Sequence, residues 1–187
     1  MRNQVKRGSP FRRSAGLRLK TLQRIAVYSV LTLILGTAQC SFFPALNVCP
    51  RTPDLIMGLI LATMLCDNTK SGVILSVAAG FFIDAIGGGE IALLPIFYLV
   101  YAIIIGLLSH KMMRSFPTYL ILLLPSLLFR AVGTLVLSLV FQSATLGGGL
   151  LITILLEALC TFILCIAIYP ITKLAIKPIK SHKKFSF

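Results

Sequence analysis

Tryptophan is absent, histidine occurs twice and acidic residues only five times among 187 positions. So few carboxylates and imidazoles leave most hydrolytic and metal-assisted chemistry without its raw material, and no HExxH, GxSxG or phosphate-binding loop is found. No closely spaced carboxylate pair compensates. The five cysteines, Cys40, Cys49, Cys66, Cys160 and Cys165, form no CxxC pair and have no histidine at ligand spacing, so a zinc site is unsupported. Cys40 and Cys49 share one side of the expected topology, where a disulfide between them is one option; the simpler reading is five small apolar side chains. His110 and His182 have no neighbouring acid or cysteine and read as solvated. The expectation is a protein with no catalytic centre, metal or cofactor.

What the chain has in abundance is apolar surface. Hydrophobic residues make up 57% of it and the mean hydropathy is +0.96, against roughly 45–50% apolar residues for a soluble domain. Gly, Pro and charge divide these residues into six candidate spans, 25–43, 53–66, 71–86, 91–109, 117–141 and 149–172. The predicted fold is an all-α integral membrane protein, a six-span helical bundle with its membrane domain over 25–172. The second and third spans are short, reaching only roughly 20–25 Å at 1.5 Å per residue, so tilt, extension or a re-entrant hairpin is expected there. The basic stretch before Ile25 resembles a signal peptide, but no small-x-small cleavage site follows, and the segment reads as an uncleaved first span.

Charge is distributed as lopsidedly as hydropathy. The net charge is +13, and the basic residues crowd both ends: eight between Arg2 and Arg24 and five between Lys173 and Lys184. This flanking pattern marks a membrane protein and argues against nucleic acid as a partner. With both termini cytoplasmic, the tails plus Lys70, Lys111 and Arg114 place sixteen of the eighteen basic residues inside, leaving Arg51 outside and Arg130 within a span. Segments 1–24 and 173–187 then read as cytoplasmic basic arms, the first disordered over residues 1–20; attraction to anionic membrane lipids is one role for them, and solvated tails that enforce topology are the simpler one. Tyr28, Tyr119 and Tyr169 are expected at the inner boundary, with Phe42, Phe43 and Phe141 at the outer one. The triple-glycine runs at Gly87–Gly89 and Gly147–Gly149 read as outer turns.

A charge inside a span costs about 2.5–3.5 kcal/mol unless it finds a partner or water, so polar residues in the apolar block are the candidate functional positions. Asp54 follows Pro53 at the start of the second span, where a carboxylate favours the helix N-terminus. On the third span Gly72, Ser76, Gly80 and Asp84 recur at i+4, a stripe that permits close helix packing and ends in a carboxylate near the outer surface. Ser126, Arg130, Thr134 and Ser138 form a polar stripe on the fifth span, and Thr153, Glu157 and Thr161 form one on the sixth. Arg130 and Glu157 both lie roughly 12–17 Å from the outer ends, so a structural pair of Arg130 with Glu157, or with Asp84, is expected ahead of a proton-relay or ligand-carrying role. Asp67 and Glu90 fall in loops.

Two stretches give the chain a family likeness: Pro53-Asp54-Leu55 opening one span, and Gly80-Phe81-Phe82-Ile83-Asp84 leading into a glycine turn. With the segment Thr52 to Leu108, the basic tails and the span count, they resemble the rod shape-determining MreD family of the bacterial cell membrane. The resemblance implies a non-enzymatic scaffold of the elongation machinery, supporting lateral peptidoglycan synthesis and cell shape. Its partners would be MreC and, indirectly, MreB, RodA and a class B penicillin-binding protein. It also implies a fold similar to the substrate-binding subunits of energy-coupling-factor transporters, with Asp54 and Asp84 at family motif positions. A vitamin-type transporter subunit is the alternative reading. The alanine-x-x-x-alanine docking motif of those subunits is missing from the first span, where Ala26 is followed by Val30.

Overall fold

Apolar runs punctuated by Gly, Pro and charge form helices here, and no strand is present among the described residues. The computed structural model describes residues 10–46, 52–87, 93–109, 112–141 and 148–181. Cys49, Glu90, His110, Lys111, His182, Gly88, Gly89 and Gly147 lie outside them. In chain order the helices are α1 (Pro10–Thr37), a π-helical turn (Ala38–Phe42), α2 (Phe43–Leu46), α3 (Leu55–Cys66), α4 (Thr69–Gly87), α5 (Leu94–Ser109), α6 (Phe116–Phe141) and α7 (Gly148–Ser181).

Two of these helices overrun the expected spans. The basic segment read as disordered is helical from Pro10, because proline's fixed φ suits a first helical turn and the Arg, Lys, Leu and Gln that follow are good helix formers. α7 likewise continues through the basic segment after 172 as far as Ser181, where Lys, Leu and Ala favour the helix despite Pro178.

Four helical stretches are long and apolar enough to cross a membrane: Thr21–Ala45, Thr69–Gly87, Phe116–Val136 and Ile152–Lys177. Their outward residues, among them Ile34, Ile74, Leu128, Leu155 and Ile163, are exposed and aliphatic. Water would penalise such a surface and lipid would not. This is the architecture of a helical membrane protein.

The two shorter apolar helices are α3 and α5. Every residue from Leu55 to Leu65 in α3 is buried, and the helix packs against α1, α4, α5, α6 and α7. A helix apolar on all faces needs this central position. At 1.5 Å per residue α3 is about 18 Å long, well short of a hydrocarbon layer of about 30 Å. Protein groups, not bulk water, must therefore satisfy the free N–H and C=O groups of at least one of its ends.

Small residues bring the helices close to this centre. A Cβ added at Gly58 would stand 2.5 Å from Cys165 Sγ, and one at Gly80 would stand 2.5 Å from Pro95 Cα and 2.7 Å from Pro95 N. At Gly80 the obstacle is backbone, so α4 and α5 touch there main chain to main chain. Gly72, Ser76 and Gly80 are all buried, so their stripe faces inward.

The three tyrosines expected at the inner boundary pack against other groups of the bundle. Tyr28, Tyr119 and Tyr169 are all buried. Tyr119 stacks on Tyr169 at 5.0 Å between centroids, and its hydroxyl donates to the Cys165 carbonyl at 2.8 Å. A buried tyrosine ring is well served by an aromatic neighbour and a backbone acceptor of this kind.

Candidate functional site

The N-terminal end of α3 is the most heavily bonded point of the interior. Asp54 is its N-cap: Oδ1 accepts from the Met57 N–H at 3.2 Å, leaving the Leu55 and Ile56 N–H groups to be satisfied from elsewhere. Gln39 does this with one atom, its Oε1 accepting from Leu55 N at 3.0 Å and from Ile56 N at 3.4 Å. The π-helical turn after α1 holds this glutamine, which is buried. Such a turn, adding one residue per hydrogen-bonded ring, re-aims a side chain without ending the helix.

Asp54 is also fully buried, and a carboxylate in that position needs charge as well as hydrogen bonds. Arg130 of α6 supplies the charge, with Nη1 3.3 Å from Asp54 Oδ2 and Nε 3.2 Å from Glu157 Oε1 on α7. Tyr98 of α5 sets its hydroxyl astride the same carboxylate, 2.9 and 3.0 Å from the two oxygens. Thr161, one turn beyond Glu157, accepts from Asp54 N at 3.2 Å and donates to the Glu157 carbonyl at 2.8 Å. Phe97 lies beneath the Arg130 guanidinium, 6.0 Å from ring centroid to Cζ. The network thus joins the turn after α1 to α3, α5, α6 and α7.

Of the sequence-predicted residues, the structure brings Asp54, Arg130 and Glu157 together, while Gly80 serves the α4–α5 contact. Asp84 stands apart. It is half-buried, takes a backbone hydrogen bond at Leu94, and its Oδ2 has no partner among the described residues. The alternative Arg130–Asp84 pair is therefore not formed: α4 directs Asp84 to the start of α5, and Arg130 takes Asp54 instead. Asp54 does more than the helix-start role read from sequence, since it neutralises Arg130 as well as capping α3. Sequence reasoning missed Gln39 and Tyr98. For Gln39 a signal existed, an amide among residues that otherwise suit lipid; a tyrosine in a span carries no such mark.

Glu157 Oε2 is buried without a hydrogen-bond partner among the described residues. The space beside it, between Leu127, Ala131, Thr134 and Ala158, amounts to about 10 Å³. That admits one water molecule at most. The arrangement is a closed structural clamp.

The opposite end of α3 carries a second network. Arg24 of α1 pairs with Asp67, Nη1 to Oδ1 at 2.8 Å, and Ser71 donates to Asp67 Oδ2 at 3.1 Å. Arg114 donates to the Asp67 carbonyl at 2.6 Å. Cations at a helix C-terminus and an anion at its N-terminus both suit the helix dipole.

Cys40, Cys66 and Cys165 carry free thiols, so the optional Cys40–Cys49 bridge is not formed. Cys160, by contrast, is disulfide-bonded, which corrects the reading of all five as plain apolar side chains. Among the described residues no group of three or more metal-ligating side chains converges. Comparison with protein-family models, curated proteins and solved structures returned no match.

Proposed function

We propose that this chain is a six-pass, non-enzymatic scaffold of the bacterial elongation machinery, similar to MreD, holding MreC and through it the peptidoglycan synthases. In this reading α3 and α5 complete the six passes, and both termini are cytoplasmic. Arg24, Arg114 and Lys70 gather at the Asp67 end of α3, and Lys173 lies over Tyr169, whose ring packs on Phe116 at the same end. Such an accumulation of positive charge supports placing that end inside.

The observation that carries the reading is the closure of the charged interior. A vitamin-binding subunit needs a pocket of about 300–1,000 Å³ lined by convergent polar groups, whereas the space at the Asp54–Arg130–Glu157 network is about 10 Å³. With its polar groups spent on one another, the bundle acts through its outer surface, favouring one partner conformation over another by contact. Asp54, Arg130 and Glu157 keep that surface in shape, Gly80 locks α4 to α5, and Asp84 organises the start of α5.

Affinity purification of the tagged chain from native membranes tests this. Co-recovery of MreC is expected; recovery of an ATPase module or a bound vitamin in its place would favour the transporter subunit and sink the scaffold reading. Labelling that found Arg2 and Lys184 in opposite compartments would overturn the topology.

A further inference from the structure

The Asp67 end of the bundle contains a cleft that the scaffold reading does not use. It has a volume of about 150 Å³ and is lined by Met64, Leu65, Thr69, Ser109, Met112 and Arg114. We propose that this cleft binds a phosphate group, supplied by an anionic membrane lipid of the adjoining leaflet or by free phosphate.

Charge is the first reason. Arg114 spends one donor on the Asp67 carbonyl and has no carboxylate within ion-pair distance among the described residues. The nearest acid, Asp67, is already held by Arg24 and Ser71. A guanidinium has five N–H donors in a planar fork that fits two phosphate oxygens, so Arg114 retains unused capacity of the right shape and sign. Lys70, exposed beside Thr69, adds to the positive potential.

The walls are the second reason. Thr69 has no hydrogen-bond partner among the described residues, which leaves its hydroxyl free to donate to a phosphate oxygen. Ser109 donates to the Gly106 carbonyl at 3.0 Å and so holds its side of the cleft in place. Met64 and Leu65 make the remaining wall apolar, the surface that the glycerol and first methylenes of a lipid would meet. A cationic fork, a free hydroxyl and an apolar floor thus meet in one cleft, on the face of the bundle where the basic residues gather.

The test uses the full chain in neutral detergent. Because tryptophan is absent, unfolding is followed with a thiol-reactive dye at the free cysteines Cys40, Cys66 and Cys165. The probes are dioctanoyl phosphatidylglycerol, dioctanoyl phosphatidylcholine and inorganic phosphate. At ten times its half-saturating concentration, phosphatidylglycerol should raise Tm by roughly 3–6 °C. Arg114→Gln should lose that shift and Arg114→Lys keep part of it. Thr69→Val should raise the half-saturating concentration roughly tenfold, and it carries the test if Arg114→Gln fails to accumulate. An Arg114-dependent shift with inorganic phosphate alone assigns the site to the free ion. An equal shift from phosphatidylcholine, a full shift in Arg114→Gln, an unchanged half-saturation in Thr69→Val, or no shift with any probe overturns the proposal.

Discussion

At its Asp54 end α3 is closed by Gln39, Tyr98, Arg130, Glu157 and Thr161, a set whose polar atoms are occupied almost entirely by one another. At its Asp67 end the same helix is held by Arg24, Ser71 and Arg114, with Arg24 still 31% exposed and a cleft alongside. Both networks complement the helix dipole and both satisfy chain ends that a short central helix leaves open. They differ in how far the cation is exposed and in the space beside it. At the first, Asp54 and Glu157 are sealed and Arg130 is 20% exposed, so breaking it strands two carboxylates in a low-dielectric interior; at the second, one sealed carboxylate faces a cation that is 31% exposed, and the cleft alongside leaves room for a ligand. Where a network sits thus decides whether it fixes the fold or is available for binding.

The comparison breaks most sharply at Arg130. Arg130→Met leaves two buried carboxylates without their cation and should destabilise the bundle by about 3–5 kcal/mol, read as loss of the protein from the membrane fraction. Charge reversal at Arg130 should do the same, with partial recovery on a complementary reversal at Glu157. Full accumulation of the single variant would show that the Asp54 end is not a clamp.

Gln39→Leu comes next. It removes the acceptor of two α3 N–H groups in a dry site and should cost about 2–3 kcal/mol, measurable as a lower Tm in detergent. Tyr98→Phe removes one hydrogen bond to a charged acceptor while keeping the ring, for a loss of about 1.5–2 kcal/mol in the same assay.

The smallest effect belongs to the other end. Arg24→Gln should cost about 1–1.5 kcal/mol, since Asp67 is buried but still held by Ser71, and raising salt should shrink the difference from the parent chain because Arg24 is itself 31% exposed. A salt-independent loss as large as that of Arg130→Met would erase the distinction between the two ends.

The helical nature of the chain, its apolar surface and the inward stripe Gly72-Ser76-Gly80 were legible from composition and periodicity, since these depend on local spacing alone. Arg130 and Glu157 stood out because a charge within an apolar run has few tolerable explanations. Their third partner was harder to see. Asp54 already had a sufficient local role in opening its helix, and nothing in spacing tells that such a residue also faces an arginine 76 positions later. Gln39 required the π-helical turn that aims it inward, and Tyr98 required α5 to lie against the start of α3. The helical course of the basic segments was missed because their composition, rich in charge, matches an arm and a helix equally well.

Hydropathy by itself determined that this chain belongs in lipid and is built of helices, because each apolar run must satisfy its own backbone wherever water is missing. Only the tertiary structure decided which helix is central, which acid answers Arg130 and which end of α3 stays open. Those outcomes turn on how several helices pack at once, and distances between residues far apart in sequence are set by that packing rather than by any local pattern.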